Sequence, residues 1–515
     1  MARRRDWRAG RCYPPPPSTS PDRPLPMAPP APPPRPYRVT VLWLSALALA
    51  LLAYPAVRLF WDYEIDINEG WNAYHQLRAI AGQPLYDTGS PLFFNNYPPL
   101  SFYVVGALAK LIGDPLIAGR LVSLAAIAAI AWAVARIVRS AGASALDALF
   151  GAATCILLFA AFATDYLGMN DPQLLGQALV LAGLATHLGR PATPARAVTA
   201  AVLLAAGVLT KHNLVAVPLV VAIDVLARGP VRVRVAFFAA GLGLAASSAA
   251  ILWGMAGKAF FTQLLASRTW DVERAFLFTT ETLSRLQAPL AAVGLALIAA
   301  RRRRPAGLVL GYLGLALALG VFFSGGAGTD VNVWFDVSIA LAIGAGLAAH
   351  LLDGRVPRAA FALAVNAGVL FYAPLCLGRF GVDALGEMSD RERLFHADVA
   401  YLQGIPGTVL CQSQLLCFRA GKPMFYDGFN VNQAMLAGRL PADTLIAMLR
   451  RHDIAVLQIS DVPVHGDGDY PGVQTMPNRF VHFQDDVFAV LAEEYTVDRV
   501  GISGRFFRPK RIPTP

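Results

Sequence analysis

Long apolar stretches recur along the chain between residues 39 and 376, and short polar segments separate them. Most of them approach the roughly 20 consecutive apolar residues that an α-helix needs to cross a bilayer. Two stretches, at 235–257 and 306–323, contain no charged residue. The pattern predicts an all-α membrane bundle of about eleven transmembrane helices, at 39–60, 116–138, 145–163, 172–188, 197–209, 213–227, 235–255, 286–300, 306–323, 336–352 and 359–376.

The stretch at 98–113 is apolar but shorter than a normal span, and it opens on two prolines. If it crossed the membrane, the arginine-rich loops that follow it would all face outward. If it lies along the membrane surface, those loops face the cytoplasm, as the positive-inside rule requires. We therefore expect this stretch to lie at the interface, with the C-terminus of the chain outside the cytoplasm.

Composition divides the chain into three parts. Residues 1–37 are rich in proline and arginine, which predicts a disordered cytoplasmic segment. Residues 38–376 form the predicted transmembrane domain, and 61–115 is its first outside loop. Residues 377–515 mix charged, aromatic and turn residues as soluble proteins do. We expect this last part to be a soluble extracytoplasmic α/β domain with its own core.

The C-terminal part also carries local signals. Short apolar runs at 408–411 and 454–459 predict buried strands, and 443–451 predicts a helix. Cys411 and Cys417 bracket five residues of this part. A disulfide between them would suit an oxidising compartment, and two buried free thiols are the alternative; the spacing leaves both open.

The overall charge changes the picture only slightly. The 515 residues carry a net charge of +10, yet only 15% of them are charged, against about 25% in average soluble proteins. The basic residues cluster in short loops between apolar spans, where they signal topology. This placement argues against a nucleic-acid partner. The alanine- and arginine-rich composition suggests a bacterium, and hence its inner membrane.

Charged and polar residues collect in the predicted outside loops. A carboxylate there can accept the proton of an attacking hydroxyl, and lysine or arginine can neutralise a phosphate leaving group. Asp171 and Lys211 lie next to apolar span ends, where an unpaired charge is costly. These observations predict a site at the outer mouth of the bundle, formed from Asp66, Glu69, Asp171, Lys211, His212, Arg268, Arg274 and Asn332.

The first outside loop is also rich in aromatic residues. They are typical of the aromatic belt that lies at a membrane surface. Stacking against a sugar is the alternative, and Tyr97 is the member that we count among the candidate substrate-binding residues. The six are Trp61, Trp71, Tyr86, Phe93, Phe94 and Tyr97.

Several short motifs occur in a defined order. They are Asp-Ile-Asn-Glu-Gly-Trp-Asn-Ala-Tyr at 66–74, Gly-Gln-Pro-Leu-Tyr at 82–86, Tyr-Pro-Pro-Leu-Ser-Phe-Tyr at 97–103, Gly-Arg-Leu at 119–121, Asn-Asp-Pro at 170–172 and Thr-Lys-His-Asn at 210–213. Together they resemble the N-terminal half of GT-C glycosyltransferases, and most closely the group of protein O-mannosyltransferases and bacterial aminoarabinose transferases. The likeness covers residues 39–225 well and the remaining spans by layout.

The resemblance implies transfer of one sugar from a polyprenyl-phosphate carrier to a glycan, lipid or protein acceptor, outside the cytoplasm and by direct displacement. The acidic motif of that family is Asp-Glu, whereas this chain has Asn68-Glu69 with an additional acid at Asp66. We therefore expect Glu69 to act as the base with support from Asp66, and Asp171 to be the second acidic residue. No metal ligand set is defined, but Asp66, Glu69 and Asp171 could hold a divalent cation.

Two other functions fit a membrane protein of this kind. A transporter or lipid-carrier flippase usually places its charges near the bilayer midplane, in paired halves, and neither feature is present in the sequence. A scaffold for envelope enzymes would leave Glu69, Asp171 and Lys211 without a joint purpose. His465, Asp467 and Asp469 resemble a metal site, but their glycine-rich setting predicts a turn.

Overall fold

The computed structural model describes residues 34–86, 89–352, 356–460 and 482–510. Within these ranges the chain forms a helical bundle followed by a smaller domain with a four-stranded sheet. All but the last four residues of the predicted disordered segment 1–37 lie outside the described residues, as do His465, Asp467 and Asp469.

The first fifteen α-helices of the described chain make up the bundle. They are α1 (Arg35–Leu51), α2 (Ala53–Arg58), α3 (Asn68–Ile80), α4 (Leu100–Ile112), α5 (Pro115–Ser140), α6 (Ala145–Phe162), α7 (Gln173–Leu188), α8 (Pro194–Thr210), α9 (Ala216–Arg228), α10 (Val231–Leu264), α11 (Val272–Ala299), α12 (Arg304–Ser324), α13 (Phe335–Leu351), α14 (Arg358–Val365) and α15 (Ala367–Val382). Helix α13 is apolar on every side and packs among α5, α6, α11 and α12 at the centre of the bundle.

A helix is present at each of the eleven predicted spans. In the described chain, seven segments are long and apolar enough to cross a membrane, and the pair α14–α15, bent by 54°, would be an eighth. The remaining three predicted spans are α7, α8 and α9, which have 16, 17 and 13 residues. Helix α11 begins well before the predicted residue 286. The charged residues of its first turns lower the local hydropathy, so a hydropathy pattern does not detect this part of the helix.

The short apolar segment that decided the predicted topology forms α4. Its 13 residues span about 20 Å at 1.5 Å per residue, which is less than the ~30 Å thickness of a hydrocarbon core. Helix α4 packs against both α3 and α5. These two short helices, α3 and α4, therefore form the structured part of the predicted outside loop.

The smaller domain contains five helices and one mixed sheet. The helices are α16 (Met388–Gln403), α17 (Gln414–Arg419), α18 (Gly428–Leu436), α19 (Thr444–Arg450) and α20 (Asp485–Glu494), and the strands are β1 (Val409–Cys411), β2 (Val456–Ile459), β3 (Tyr495–Gly501) and β4 (Gly504–Pro509). The strand order is β1-β2-β4-β3, with β1 parallel to β2 and the other pairs antiparallel. The two strands and the helix that we predicted here are present as β1, β2 and α19.

Specific hydrogen bonds hold this domain on α3 and on the segment before it. The indole nitrogen of Trp71 donates to Asp427 Oδ2 at 2.9 Å. The Ser413 hydroxyl donates to Glu64 Oε2 at 2.6 Å. Consequently the domain covers the end of the bundle at which the acidic motif lies.

Candidate active site

The acidic motif is anchored by a buried ion pair between Glu69 and Arg120. The Arg120 guanidinium donates from Nε to Glu69 Oε1 at 2.8 Å and from Nη2 to Oε2 at 2.6 Å. Neither side chain is exposed. The backbone N–H groups of Ile65 and Asn170 also donate to Glu69, at 2.9 and 3.0 Å. Both oxygens of the Glu69 carboxylate are therefore fully engaged within the protein.

This anchor brings together three motifs that lie far apart in the sequence. Asn170 packs directly over Gly119, where a Cβ atom would lie 1.8 Å from Asn170 Oδ1. Asn170 also exchanges hydrogen bonds with Gln76 of α3, at 2.7 and 3.1 Å. Glycine at position 119 thus permits the close contact by which the segment before α7 joins α3 and α5.

Asp171 and Lys211 form a second buried pair at the same end of the bundle. Lys211 Nζ lies 3.3 and 3.4 Å from the two oxygens of Asp171, and both side chains are buried. The Gln173 N–H donates to Asp171 Oδ1 at 2.7 Å. Lys211 Nζ also lies 4.6 Å from the centre of the Tyr97 ring. Lys211 is thus held between a carboxylate and an aromatic face.

Asp66 differs from Glu69 because only one of its oxygens is engaged. Asp66 Oδ1 accepts hydrogen bonds from the backbone and side-chain nitrogens of Asn68, at 2.9 and 2.6 Å. Within the described chain, no hydrogen bond to Oδ2 is formed. Burial raises the pKa of the Asp66 carboxyl to about 6; the Asn68 N–H opposes the shift, and the negative charges of Asp171 and Asp330 add to it.

A polar cavity of about 210 Å³ lies between the bundle and the smaller domain, and the two residues that follow Asp66 in the chain line it. Its bundle wall includes Ile67, Asn68, Trp71, Asn96, Tyr97 and Arg268. Its domain wall includes Gln412, Gln414, Asp427, Phe429, Asn430 and His482. Arg268 donates to Asn430 Oδ1 at 3.2 Å and lies over the Phe429 ring. The cavity therefore combines amide, aromatic and a few charged side chains.

An apolar groove of about 480 Å³ runs along α8, α9 and α10. Its walls are formed almost entirely by alanine, leucine, valine and phenylalanine side chains. The groove and the polar cavity meet at consecutive residues: Tyr97 lines the cavity and Pro98 lines the groove. His212 also lines the groove, directly after Lys211 in the sequence. Lys211 thus lies between the two, since its Nζ is 4.6 Å from the Tyr97 ring of the cavity and the next residue, His212, lines the groove.

Arg274 and Asn332 line neither the cavity nor the groove, and their contacts are with other parts of the bundle. Arg274 donates to the carbonyl oxygens of Gly326 and Thr329, at 3.4 and 2.7 Å, and so holds the loop after α12. Asn332 donates to Gln173 at 3.4 Å and lines a separate small cavity within the bundle. In the structure these two side chains support the site rather than face it.

The residues suggested for a divalent cation do not form a ligand group. The Glu69 carboxylate is engaged by Arg120, which removes it from the set with Asp66 and Asp171. In the part of the chain that the structure describes, no three His, Cys, Asp or Glu side chains lie close enough to hold a metal ion. As the structure places them, Asp66, Glu69 and Asp171 therefore do not form a site for a divalent ion.

The aromatic residues of the first outside loop are mostly inside the protein. Trp61, Trp71, Tyr86 and Phe93 are each less than 9% exposed, so the predicted interfacial belt is wrong for these four. Trp71 and Phe93 pack on His75 of α3, Tyr86 packs on Phe260 of α10, and Trp61 donates to the Met388 carbonyl oxygen of the smaller domain. The structure also resolves the alternatives for Cys411 and Cys417, which form a disulfide.

Sequence reasoning missed the domain wall of the cavity. Gln412 and Gln414 lie between the two cysteines, and Asp427 caps α18 by accepting a hydrogen bond from the Asn430 N–H. An N-cap aspartate is common in any protein, so nothing in its local sequence points to Trp71 as a partner. The disulfide spacing was the one signal that marked this loop.

No protein-family model matches the sequence, and no curated protein does. Solved structures match it over most of its length. ArnT from Cupriavidus metallidurans in the apo state has a TM-score of 0.61 at 16% identity, over 91% of this chain and 98% of ArnT. The same protein bound to undecaprenyl phosphate has a TM-score of 0.57 at 17% identity and the same coverage.

A third match is the archaeal oligosaccharyltransferase AglB from Archaeoglobus fulgidus, in complex with an inhibitory peptide and a dolichol-phosphate. Its TM-score is 0.50 at 11% identity, over 82% of this chain and 69% of AglB. At such identities the likeness defines the fold. The chain has the GT-C fold, as the sequence motifs indicated. Its architecture is that of ArnT, a helical membrane bundle with a C-terminal domain.

Proposed function

We propose that this chain is an integral membrane glycosyltransferase that moves a sugar from a polyprenyl-phosphate carrier to an envelope glycan, lipid or protein acceptor on the extracytoplasmic face. The observation that carries the proposal is the meeting of the apolar groove with Lys211 and the polar cavity. A donor with a long apolar chain and a phosphate matches the groove and the cation, and its sugar would then lie at the mouth of the polar cavity, which is left for the acceptor. ArnT bound to undecaprenyl phosphate, and AglB with a dolichol-phosphate, support a lipid-linked donor.

The groove is assigned to the carrier chain and Lys211 to its phosphate. The carrier chain packs against the apolar side chains of α8, α9 and α10 by van der Waals contacts, because within a bilayer the chain is not transferred from water. Lys211 then neutralises the charge that develops on the leaving phosphate. His212 lies at the end of the groove and contacts the first units of the chain. Arg268, across the Tyr97 ring, binds substrate in the cavity.

Asp66 is assigned as the base. The hydroxyl oxygen of the acceptor attacks the anomeric carbon, and its proton passes to the open oxygen, Oδ2, of Asp66. The bond from the anomeric carbon to the phosphate oxygen breaks, and the carrier phosphate leaves with that electron pair. Attack on the opposite side from the leaving group inverts the anomeric centre. A pKa of about 6 leaves Asp66 largely ionised, and hence able to accept a proton, at neutral pH.

The roles of Glu69 and Asp171 follow from their partners. Glu69 is assigned to positioning the motif, because Arg120 and two backbone N–H groups occupy its oxygens. Asp171 is assigned to orienting Lys211 and keeping it charged. The Cys411–Cys417 disulfide supports the placement of the smaller domain outside the cytoplasm, where disulfides persist. A bacterial inner membrane is the proposed location.

A groove-filling substitution tests the donor assignment. Leu244 lines the groove on α10, whereas Leu242 on the same helix is 68% exposed and points away from it. Purified protein should release polyprenyl phosphate from polyprenyl-phosphate-linked hexoses or pentoses when a bacterial envelope extract supplies the acceptor hydroxyl groups. Leu244→Trp should lower this rate at least tenfold, and Leu242→Trp should leave it unchanged. Equal rates in both variants, or no release by the wild type from any of these donors, would overturn the proposal.

A further inference from the structure

The bundle and the smaller domain each form one wall of the polar cavity. Their arrangement determines which ligands can reach it. Ile67, Asn68 and Tyr97 form the bundle side, next to Asp66. The domain side is formed by the disulfide loop and the start of α18. A ligand in this cavity lies beside the proposed base and on the side of it covered by the smaller domain. In an in-line displacement the acceptor approaches from the side opposite the leaving phosphate.

The cavity walls favour an uncharged ligand with many hydroxyl groups. Five side-chain amides line it, and an amide both donates and accepts hydrogen bonds, as a sugar hydroxyl does. They belong to Asn68, Asn96, Gln412, Gln414 and Asn430.

The charges around the cavity largely offset one another. Arg268 and Asp427 contribute one positive and one negative group. Burial lowers the pKa of His482 to about 4, so its imidazole is neutral at physiological pH. The lining residues therefore offer a phosphate, carboxylate or amine on the ligand no net charge of opposite sign. The balance favours a neutral saccharide over a charged peptide.

Aromatic rings complete the match to a sugar. Trp71, Tyr97 and Phe429 all line the cavity, and their faces suit the C–H groups of a pyranose or furanose ring. A volume of about 210 Å³ is below the ~300–1,000 Å³ of sites for drug-sized molecules. The cavity therefore has room for one ring rather than for an extended peptide.

The amides are held in place before any ligand binds. Gln412 Oε1 accepts from the Ser460 N–H at 2.9 Å. Gln414 Nε2 donates to the carbonyl oxygens of Cys411 and Tyr426, at 3.1 and 3.3 Å. The disulfide closes the loop that carries both glutamines. Groups fixed in this way lose little conformational entropy on binding.

We infer that this cavity binds a neutral saccharide ring of the acceptor, so that the attacking hydroxyl belongs to a sugar. The inference rests on the proposed function for the identity of the reaction. The assignment of the binding site depends only on the side chains that line the cavity. Asn96 and Phe429 are its best probes. Both are only partly buried, so removing their side chains leaves the cores of the bundle and the domain intact.

The test titrates full-length protein in detergent with glucose, galactose, mannose, arabinose and their methyl glycosides, and separately with a serine- and threonine-containing peptide. Binding is read by calorimetry and by tryptophan fluorescence, because Trp71 lies in the cavity wall. We expect at least one saccharide to bind saturably. Asn96→Ala and Phe429→Ala should each weaken that binding about tenfold, the equivalent of ~1.4 kcal/mol.

Two controls separate this inference from the proposed function. Gln403→Ala removes an exposed glutamine at the end of α16 and should leave saccharide binding unchanged. Polyprenyl phosphate should bind all three variants as it binds the wild type, which also shows that they fold. Saccharide binding that is absent, or equal in wild type and cavity variants, or peptide binding in its place, would overturn the inference. Saccharide binding without any transfer from a lipid-linked donor would overturn the proposed function alone.

Discussion

The Arg120 guanidinium and the Glu69 carboxylate face each other across two hydrogen bonds, and neither side chain is exposed to solvent. Removing one partner of such a pair leaves a buried charge without compensation, which typically costs ~3–5 kcal/mol. We therefore expect Glu69→Gln to lower the free energy of unfolding strongly. The measurement is the thermal unfolding midpoint of purified protein in detergent.

An exposed ion pair provides the matched control for this prediction. Asp390 and Arg393 pair about one turn apart on α16 of the smaller domain, with side chains 67% and 71% exposed. Such surface pairs contribute about 0–1 kcal/mol, so Asp390→Asn should hardly change the midpoint. If Glu69→Gln unfolds at the wild-type temperature and has lost only activity, Glu69 acts in the chemistry and its assignment as an anchor is wrong.

The Lys211–Asp171 pair predicts separable effects on folding and on carrier binding. Lys211→Met leaves Asp171 buried and unpaired, so we expect a lower unfolding midpoint. Adding Asp171→Asn restores neutrality and should recover most of the midpoint. The double variant should still bind polyprenyl phosphate at least tenfold more weakly, because the cation for the phosphate is gone.

Carrier binding is measured as the rise in unfolding temperature on adding polyprenyl phosphate. Lys110→Met, on the exposed face of α4, is the control and should bind as the wild type does. A double variant with wild-type carrier affinity would show that Lys211 does not contact the phosphate.

We predict that the stability of the folded protein depends on pH through the Glu64 carboxyl group. Burial raises the pKa of this carboxyl from 4.5 to about 8, although the hydrogen bonds from Ser413 and the Leu415 N–H lower it. Between these two values the folded state retains a proton that the unfolded state has released. The contribution of this group to the free energy of unfolding is thus fully present below about pH 4.5 and is lost as the pH rises to about 8.

The comparison of wild type with Glu64→Gln isolates this effect. Glutamine stays neutral at every pH, so the difference in unfolding midpoint should grow in favour of Glu64→Gln between pH 6 and 8. Asp66 titrates mostly below this window, since its pKa is about 6. Parallel pH curves for the two proteins would mean that the Glu64 carboxyl is ionised in the folded state at neutral pH.

Gly70 marks a close approach of the bundle to the smaller domain. A Cβ atom at this position would lie 1.9 Å from the backbone nitrogen of Leu415. We expect Gly70→Ala to displace α17 from α3 and to increase cleavage of the smaller domain by added protease. Gly241→Ala on α10, where a Cβ atom would have no neighbour within 4 Å, should leave the cleavage rate unchanged. Equal protease resistance in both variants would contradict this account of the contact.

The sequence predicted the bundle well because hydropathy acts locally, within one span. The motifs also predicted which segments meet, since Asp171 and Lys211 could not be buried apart from a partner. The partition of roles between Asp66 and Glu69 could not be predicted. It depends on the Arg120 guanidinium, which lies 51 positions away from Glu69 and fixes its geometry only in the folded chain.

The polar cavity could not be predicted from the sequence, for a similar reason. Trp71 and Asp427 are 356 positions apart, and their hydrogen bond depends on how the smaller domain sits on α3. Aromatic residues near apolar spans usually indicate a membrane interface. Trp71 is instead buried at the junction of the bundle and the smaller domain. No local sequence pattern indicates this position.

Activity of an Asp66→Asn variant tests the central claim most directly. Purified wild type, Asp66→Asn and the exposed control Asp390→Asn are given polyprenyl-phosphate-linked sugars and a bacterial envelope extract as the source of acceptors, and released polyprenyl phosphate is measured from pH 4 to 9. The wild-type and control rates should rise as the pH passes about 6, where Asp66 ionises. Asp66→Asn should be slower by about 10²–10⁴ at neutral pH, with an unchanged unfolding midpoint or a higher one. A folded Asp66→Asn protein that turns over as fast as the wild type would contradict the account.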